Sequence, residues 1–112
     1  MIPDYSLGEF EQMLLLTILQ LGDSAYGPAV SRFLEQSVQR PVSRGALYAT
    51  LGRLEEKGFL EWQLEEPDAD RGGHRKRRFE LTPAGVAALR TYRHALLELW
   101  SGLEHVLGSE RA

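Results

Sequence analysis

A mainly helical α+β fold, with one small β-hairpin set among the helices, is what this sequence predicts. Three features predict it. Apolar residues recur at helical spacing in three consecutive stretches between Ser6 and Lys57. Two short alternating runs then flank a turn-forming cluster, Pro67 to Gly73. A last helical pattern, opened by Thr82 and Pro83, runs to about Leu107.

The first helix is expected to start at Ser6, which with Glu9 has capping-box spacing. Phe10, Met13, Leu14, Ile18 and Leu21 form its stripe, and Leu15, Leu16 and Leu19 widen it. A helix this apolar needs cover on more than one side, from its own domain and from a second chain. Gly22 ends it. The second helix begins between Tyr26 and Pro28, turns Val30, Phe33 and Leu34 inward, and is closed by Pro41. Ser43 is the expected N-cap of the third. Leu47, Leu51 and Leu54 make the inner stripe of that helix and Gly58 stops it, which leaves Arg44, Gly45, Tyr48, Ala49, Gly52 and Arg53 off the stripe.

Leu60, Trp62 and Leu64 alternate with polar residues in a half-buried strand from Leu60 to Glu66. Arg77, Phe79 and Leu81 alternate in its partner, so Arg77 and Arg78 point to opposite faces. In the last helix Leu89, Tyr92, Leu96, Leu99, Leu103 and Val106 follow heptad spacing, with Trp100 on the flank. Unbroken to Leu107, it would be roughly 37 Å long at 1.5 Å per residue. One small domain cannot cover that length. A homodimer joined through these residues, with Phe10 and Leu14 of the first helix, is therefore expected. Residues 1–82, the three helices and the hairpin, are expected to form one unit and 83–112 the dimerisation helix, in one compact body.

At 112 residues the chain suits a single domain, and 43% apolar content gives it a core. The absence of cysteine excludes disulfide scaffolds, thiolate metal sites and cysteine nucleophiles, and fits a reducing compartment. The start carries no signal-peptide pattern, and the longest apolar run, Met13 to Leu16, is too short to cross a bilayer. A cytoplasmic location, with no membrane association, is expected.

The net charge of −3 argues against a nucleic-acid partner, but its distribution argues for one. Residues 71–78 contain five cations and no acid, and residues 40–53 contain three more, again without an acid. A local patch, not the global sum, sets the field a phosphate backbone meets.

Three helices followed by a hairpin is the element order of a winged helix-turn-helix, whose third helix enters the major groove of double-stranded DNA. Ser43 and the first-turn amides suit a phosphate, and Arg44 suits a guanine edge or a phosphate. Tyr48 is open between a phosphate and packing on the wing. Arg53 is open between DNA and a pair with Glu56, three residues on. Gly45 and Ala49 have little to read with, so backbone contacts should outnumber base contacts. In the hairpin tip Gly72 and Gly73 permit close approach, while Arg71, His74, Arg75, Lys76 and Arg77 supply charge and donors. His74, His94 and His105 lack metal-ligand spacing, and no nucleophile elbow or phosphate-cradling loop occurs. The expectation is a non-enzymatic protein with no cofactor.

Several segments in order carry a likeness: Tyr26-Gly27, Gly45-Ala46-Leu47-Tyr48, Leu54-Glu55-Glu56-Lys57-Gly58, Arg75-Lys76-Arg77 and Leu81-Thr82-Pro83-Ala84-Gly85. Together they resemble the PadR family of transcription regulators, in its shorter-tailed branch; Gly52 and Trp62 fall outside the matching positions. The resemblance implies a dimeric repressor on an inverted-repeat operator, released by a small molecule or another signal, with Tyr48 and the basic wing meeting DNA. The competing reading is a winged-helix module whose basic loop meets an acidic protein. For Trp100, a cavity between two chains that admits a flat apolar ligand competes with ordinary interface packing.

Overall fold

The computed structural model describes residues 6–65 and 75–108. Its order is α1 (Glu9–Leu21), a 3-10 turn (Gly22–Ser24), α2 (Gly27–Val38), α3 (Arg44–Glu56), β1 (Leu60–Glu65), β2 (Lys76–Leu81), α4 (Pro83–Trp100) and α5 (Glu104–Leu107). This is a winged helix: three helices packed on one another, then an antiparallel hairpin, then a terminal helix.

α1 packs against α2, α3, α4 and β2, and this central position explains its broad apolar surface. Leu14, Leu15 and Ile18 meet Val30, Leu34, Leu47, Leu51, Leu54, Phe59 and Phe79 in one buried core. Its start differs from the sequence expectation. The N-cap is Gly8, and Glu11 accepts the Gly8 N–H at 2.8 Å, so the capping pair is Gly8 and Glu11 rather than Ser6 and Glu9. Glu11 wins because it has a second partner. Lys57 Nζ, from the end of α3, lies 2.9 Å from its other oxygen and also donates to the Ser6 carbonyl at 2.9 Å.

β1 and β2 pair in register from Leu60 opposite Leu81 to Glu65 opposite Lys76. Ala25 and Tyr26 extend the sheet on the free edge of β2: Phe79 N–H donates to the Ala25 carbonyl at 2.9 Å, and Tyr26 bridges Arg78. Leu60, Phe79 and Leu81 are buried, but Trp62 and Leu64 are exposed, against the expectation of a half-buried strand. The helices cover only the root of the hairpin, and the same face emerges into solvent further out.

The hairpin root is tied to α4. Thr82 Oγ1 accepts from Gly85 N–H at 3.1 Å and donates to the Gly58 carbonyl at 2.6 Å. Gly85 lies so close under the Phe59 carbonyl that a Cβ there would collide with it.

The expected continuous terminal helix is broken. α4 ends at Trp100, Ser101 is extended, and Gly102 adopts φ +83° before the four-residue α5. The heptad spacing of apolar residues crosses this break, but the backbone does not. α4 is thus about 27 Å long at 1.5 Å per residue rather than 37 Å. Its first turns pack on the core through Leu89; its last turns project. The radius of gyration, 16.2 Å, exceeds the roughly 13 Å of a compact chain of this length, as projecting elements require.

Candidate nucleic-acid interface

Ser43 caps α3, its Oγ accepting from Ala46 N–H at 3.1 Å, which leaves its proton free to donate outward. With Leu47, Leu51 and Leu54 turned into the core, α3 exposes Arg44, Gly45 and Ala49, and Gly52 is half-buried. A Cβ on Gly45 or Gly52 would meet no atom within 4 Å, so open space lies over this face. Arg44 and Tyr48 share the flank of α3 that faces the wing. The Arg44 guanidinium lies 5.7 Å from the Tyr48 ring centre. The Tyr48 hydroxyl reaches α2 and rests on Gly27, where a Cβ would collide with it. Arg53 lies apart, on the other flank, and donates to the Thr50 hydroxyl at 2.9 Å instead of meeting Glu56.

The wing side of this surface comes from β2. Arg77 lies over Tyr48 at 5.3 Å and over Trp62 at 5.1 Å, while Lys76 lies over Tyr26 at 5.3 Å. Arg78 points to the opposite face, as alternation requires. There Glu65 takes its Nε–H at 2.6 Å, and Glu80 lies 3.9 Å away. The hydrogen bond to Glu65 raises the Arg78 pKa above the ordinary arginine value, assisted by the charges of Glu65, Glu80 and Asp23. Arg78 is therefore spent within the wing, and Arg77 is not.

Between α2, α3 and β2 lies a groove of about 590 Å³. Arg32, Arg44, Arg75, Lys76 and Arg77 line it together with Tyr26 and Tyr48, and among the described residues no acid does. Five cations thus converge on a chain whose net charge is −3. A groove of this kind concentrates positive potential for a phosphodiester backbone. Ser43 flanks it at the opening of α3, and Arg53 is not among its lining residues. Arg71, Gly72, Gly73 and His74 lie outside the described residues. Sequence reading missed Arg32 and Tyr26. Their signal was position: Arg32 sits on α2 opposite the Val30–Leu34 stripe, and Tyr26 immediately precedes the helix.

A second concavity, about 580 Å³, lies between α1 and α4. Leu16, Leu19, Leu89, Leu96, Leu97 and Trp100 supply its apolar walls. The residues expected at a dimer contact divide here. Leu14 is wholly buried in the core of its own chain, whereas Leu89, nearly buried, still lines the concavity. Tyr92 accepts the Leu7 N–H at 3.0 Å, and Phe10 is half-buried beneath the Arg40 guanidinium. Leu96, Leu99, Trp100, Leu103 and Val106 are exposed. Leu16, Leu19 and Leu97 are exposed beside them and were missing from the expected set.

Among the described residues no cluster of His, Asp or Glu could hold a metal ion, and no helix is long and apolar enough to cross a membrane. Among curated proteins, no sequence match reaches significance. Solved structures do match. A PadR-like transcription factor from Bacteroides fragilis superposes with TM-score 0.68 at 23% identity, over 87% of this chain and 88% of that one. A PadR family transcription regulator from Clostridium difficile gives 0.66 at 21% identity, over 88% and 99%. RosR of H. salinarum gives 0.62 at 26% identity, over 87% and 80%. These likenesses agree on the fold. The sequence model described as the transcriptional regulator PadR-like family matches residues 15–91, from the core of α1 through the first turns of α4, and the chain belongs to that family of regulators, which are not enzymes.

Proposed function

We propose that this protein is a repressor that binds an inverted-repeat operator as a homodimer and leaves it when a small molecule or another signal arrives. The observation that carries the reading is the groove of four arginines and a lysine between the helix pair and the wing, which no acid lines among the described residues. In this reading the outer face of α3 enters the major groove, with Ser43 and Arg44 at its leading end. Tyr48, Arg75, Lys76 and Arg77 hold the flanking backbone, together with the wing-tip residues Arg71, Gly72, Gly73 and His74. Arg53 serves the far flank. The exposed apolar residues of α1, α4 and α5 meet their copies in a second chain, and two reading helices then face two half-sites.

The test is fluorescence anisotropy on the promoter upstream of the protein's own gene, over a range of salt. Specific binding should weaken steeply as salt rises, with a log–log slope near −0.9 per phosphate neutralised. Replacing Arg75, Lys76 and Arg77 together by Ala should flatten that slope by about three units at most. No preference for any duplex at modest salt would sink the reading and leave the basic groove to an acidic protein partner.

For release, the groove beside Trp100 is the candidate site, closed by the second chain and suited to a flat apolar ligand. Planar cations or phenolic acids should then change the Trp100 emission. A broad panel without effect would return Trp100 to interface packing.

A further inference from the structure

Among the described residues, Arg77 is held by aromatic faces and not by acids. Its guanidinium lies 5.1 Å from the Trp62 ring centre, 5.3 Å from Tyr48 and 5.7 Å from Phe79. The three rings come from β1, α3 and β2. Among the described residues no acid forms an ion pair with it, whereas Arg78, its neighbour, is held by Glu65. The two kinds of partner differ in what they leave behind. A carboxylate cancels the charge it orients. A ring face orients a guanidinium through its quadrupole and leaves the full positive charge available to a phosphate.

Core packing does not account for Trp62. It is 38% exposed, one step beyond the buried base of the hairpin. Phe79 lies opposite it in register, and Arg77 falls on the same face two residues further along β2. Tyr48 in turn carries Arg44 on its ring, so the line Arg44, Tyr48, Arg77, Trp62 runs unbroken from the opening of the reading helix to the wing.

We propose that Trp62 is a positioning residue of the DNA interface: with Tyr48 it clamps the Arg77 guanidinium, so that wing and reading helix meet the duplex as one rigid surface. This rests on the DNA-binding reading given above. The clamp sets the distance between the wing's phosphate contact and the groove-entering helix before DNA arrives, and so removes an ordering cost from binding.

The test has an arm without DNA and an arm with it. In the free protein, the side-chain methylene protons of Arg77 should resonate upfield under the ring currents of Trp62 and Tyr48. They should stay upfield in Trp62→Phe and return toward free-arginine positions in Trp62→Ala, while the Leu51 and Leu54 methyl resonances report an intact core. With operator, Trp62→Ala should bind about tenfold more weakly, as expected for loss of a partly desolvated cation–π contact. Its salt slope should match the wild type, because no cation has been removed. Trp62→Phe should restore most of the affinity. Arg77→Ala should lose affinity and about one unit of slope, and the double variant should bind no worse than Arg77→Ala alone. Unmoved Arg77 resonances in Trp62→Ala, or purely additive losses in the double variant, would overturn the clamp. If the wild type prefers no duplex, the repressor reading falls, and the resonances still decide whether Trp62 holds Arg77.

Discussion

Among the described residues, two glycines stand where a neighbour occupies the place of a Cβ, and the neighbours differ in kind. At Gly85 it is the Phe59 backbone carbonyl, pinned by Thr82 N–H at 3.1 Å. Nothing there can swing aside. Gly85→Ala should cost about 2–3 kcal/mol of stability, the range of an overpacked core, read as a lower urea midpoint. At Gly27 the neighbour is the tip of Tyr48, a side chain that can rotate away. Gly27→Ala should move stability by no more than about 1 kcal/mol. It should instead weaken operator binding, because the displaced ring is the one that carries Arg44 and Arg77. Unchanged affinity in a folded Gly27→Ala protein would remove Tyr48 from the interface. Both glycines stood out in sequence only through resemblance. Contact between Gly27 and Tyr48, twenty-one positions apart, is a property of the fold and leaves no trace in local pattern. The ring contacts of Arg77 are hidden for the same reason, since they join three elements. Ser43 was readable because an N-cap is local chemistry, written in the residue before the helix.

The elements divide along the same line. Apolar periodicity placed α1, α2, α3 and both strands within a few residues, because side chains follow the 3.6 and 2.0 repeats of the backbone, although burial follows the twofold repeat only at the root of the hairpin. It misplaced the start of α1, where a tertiary ion pair decides which glutamate caps. That pair gives a test at this scale. The side chains of Glu11 and Lys57 are only 9% and 15% exposed. Lys57→Met strands a nearly buried carboxylate and should cost on the order of 3 kcal/mol. Glu11→Leu with Lys57→Met should recover much of that loss, since a buried pair replaced by apolar groups is close to neutral. Periodicity also failed at the end of α4, for a different reason. The heptad spacing measures which side chains are apolar, and it does not register that Gly102 lets the chain turn. A left-handed conformation costs a non-glycine residue roughly 1–2 kcal/mol, and Ala gains about 1 kcal/mol over Gly inside a helix. Gly102→Ala should therefore carry α4 on into α5 and deepen the helical circular dichroism signal. An unchanged spectrum would mean that contacts beyond the backbone hold the break.

At the scale of the molecule, the single chain leaves an apolar surface without cover. Leu16 and Leu19 of α1 and Leu96, Leu97 and Trp100 of α4 are each between 44% and 53% exposed, and they rim one concavity. Contiguous apolar surface of this kind is characteristic of an interface. In the proposed homodimer a copy of the same chain would supply matching apolar walls, with twofold symmetry bringing each α4 to the other's α1. Leu97→Glu places a carboxylate in that surface without touching the buried core, so the protomer should stay folded while the pair separates. Sedimentation should show the wild type as a dimer at micromolar concentration and Leu97→Glu as a monomer with the same helical spectrum. The consequence for DNA follows from linkage. In the proposed complex each winged domain alone would meet one half-site, and joining two would make the second contact intramolecular, which multiplies affinity by about 100-fold or more when the geometry fits. The Leu97→Glu protein should lose that factor on an inverted repeat and lose little on an isolated half-site. Equal losses on both would mean that the substitution damaged the reading surface itself. A wild-type chain that sediments as a monomer would leave the groove between α1 and α4 to some other occupant.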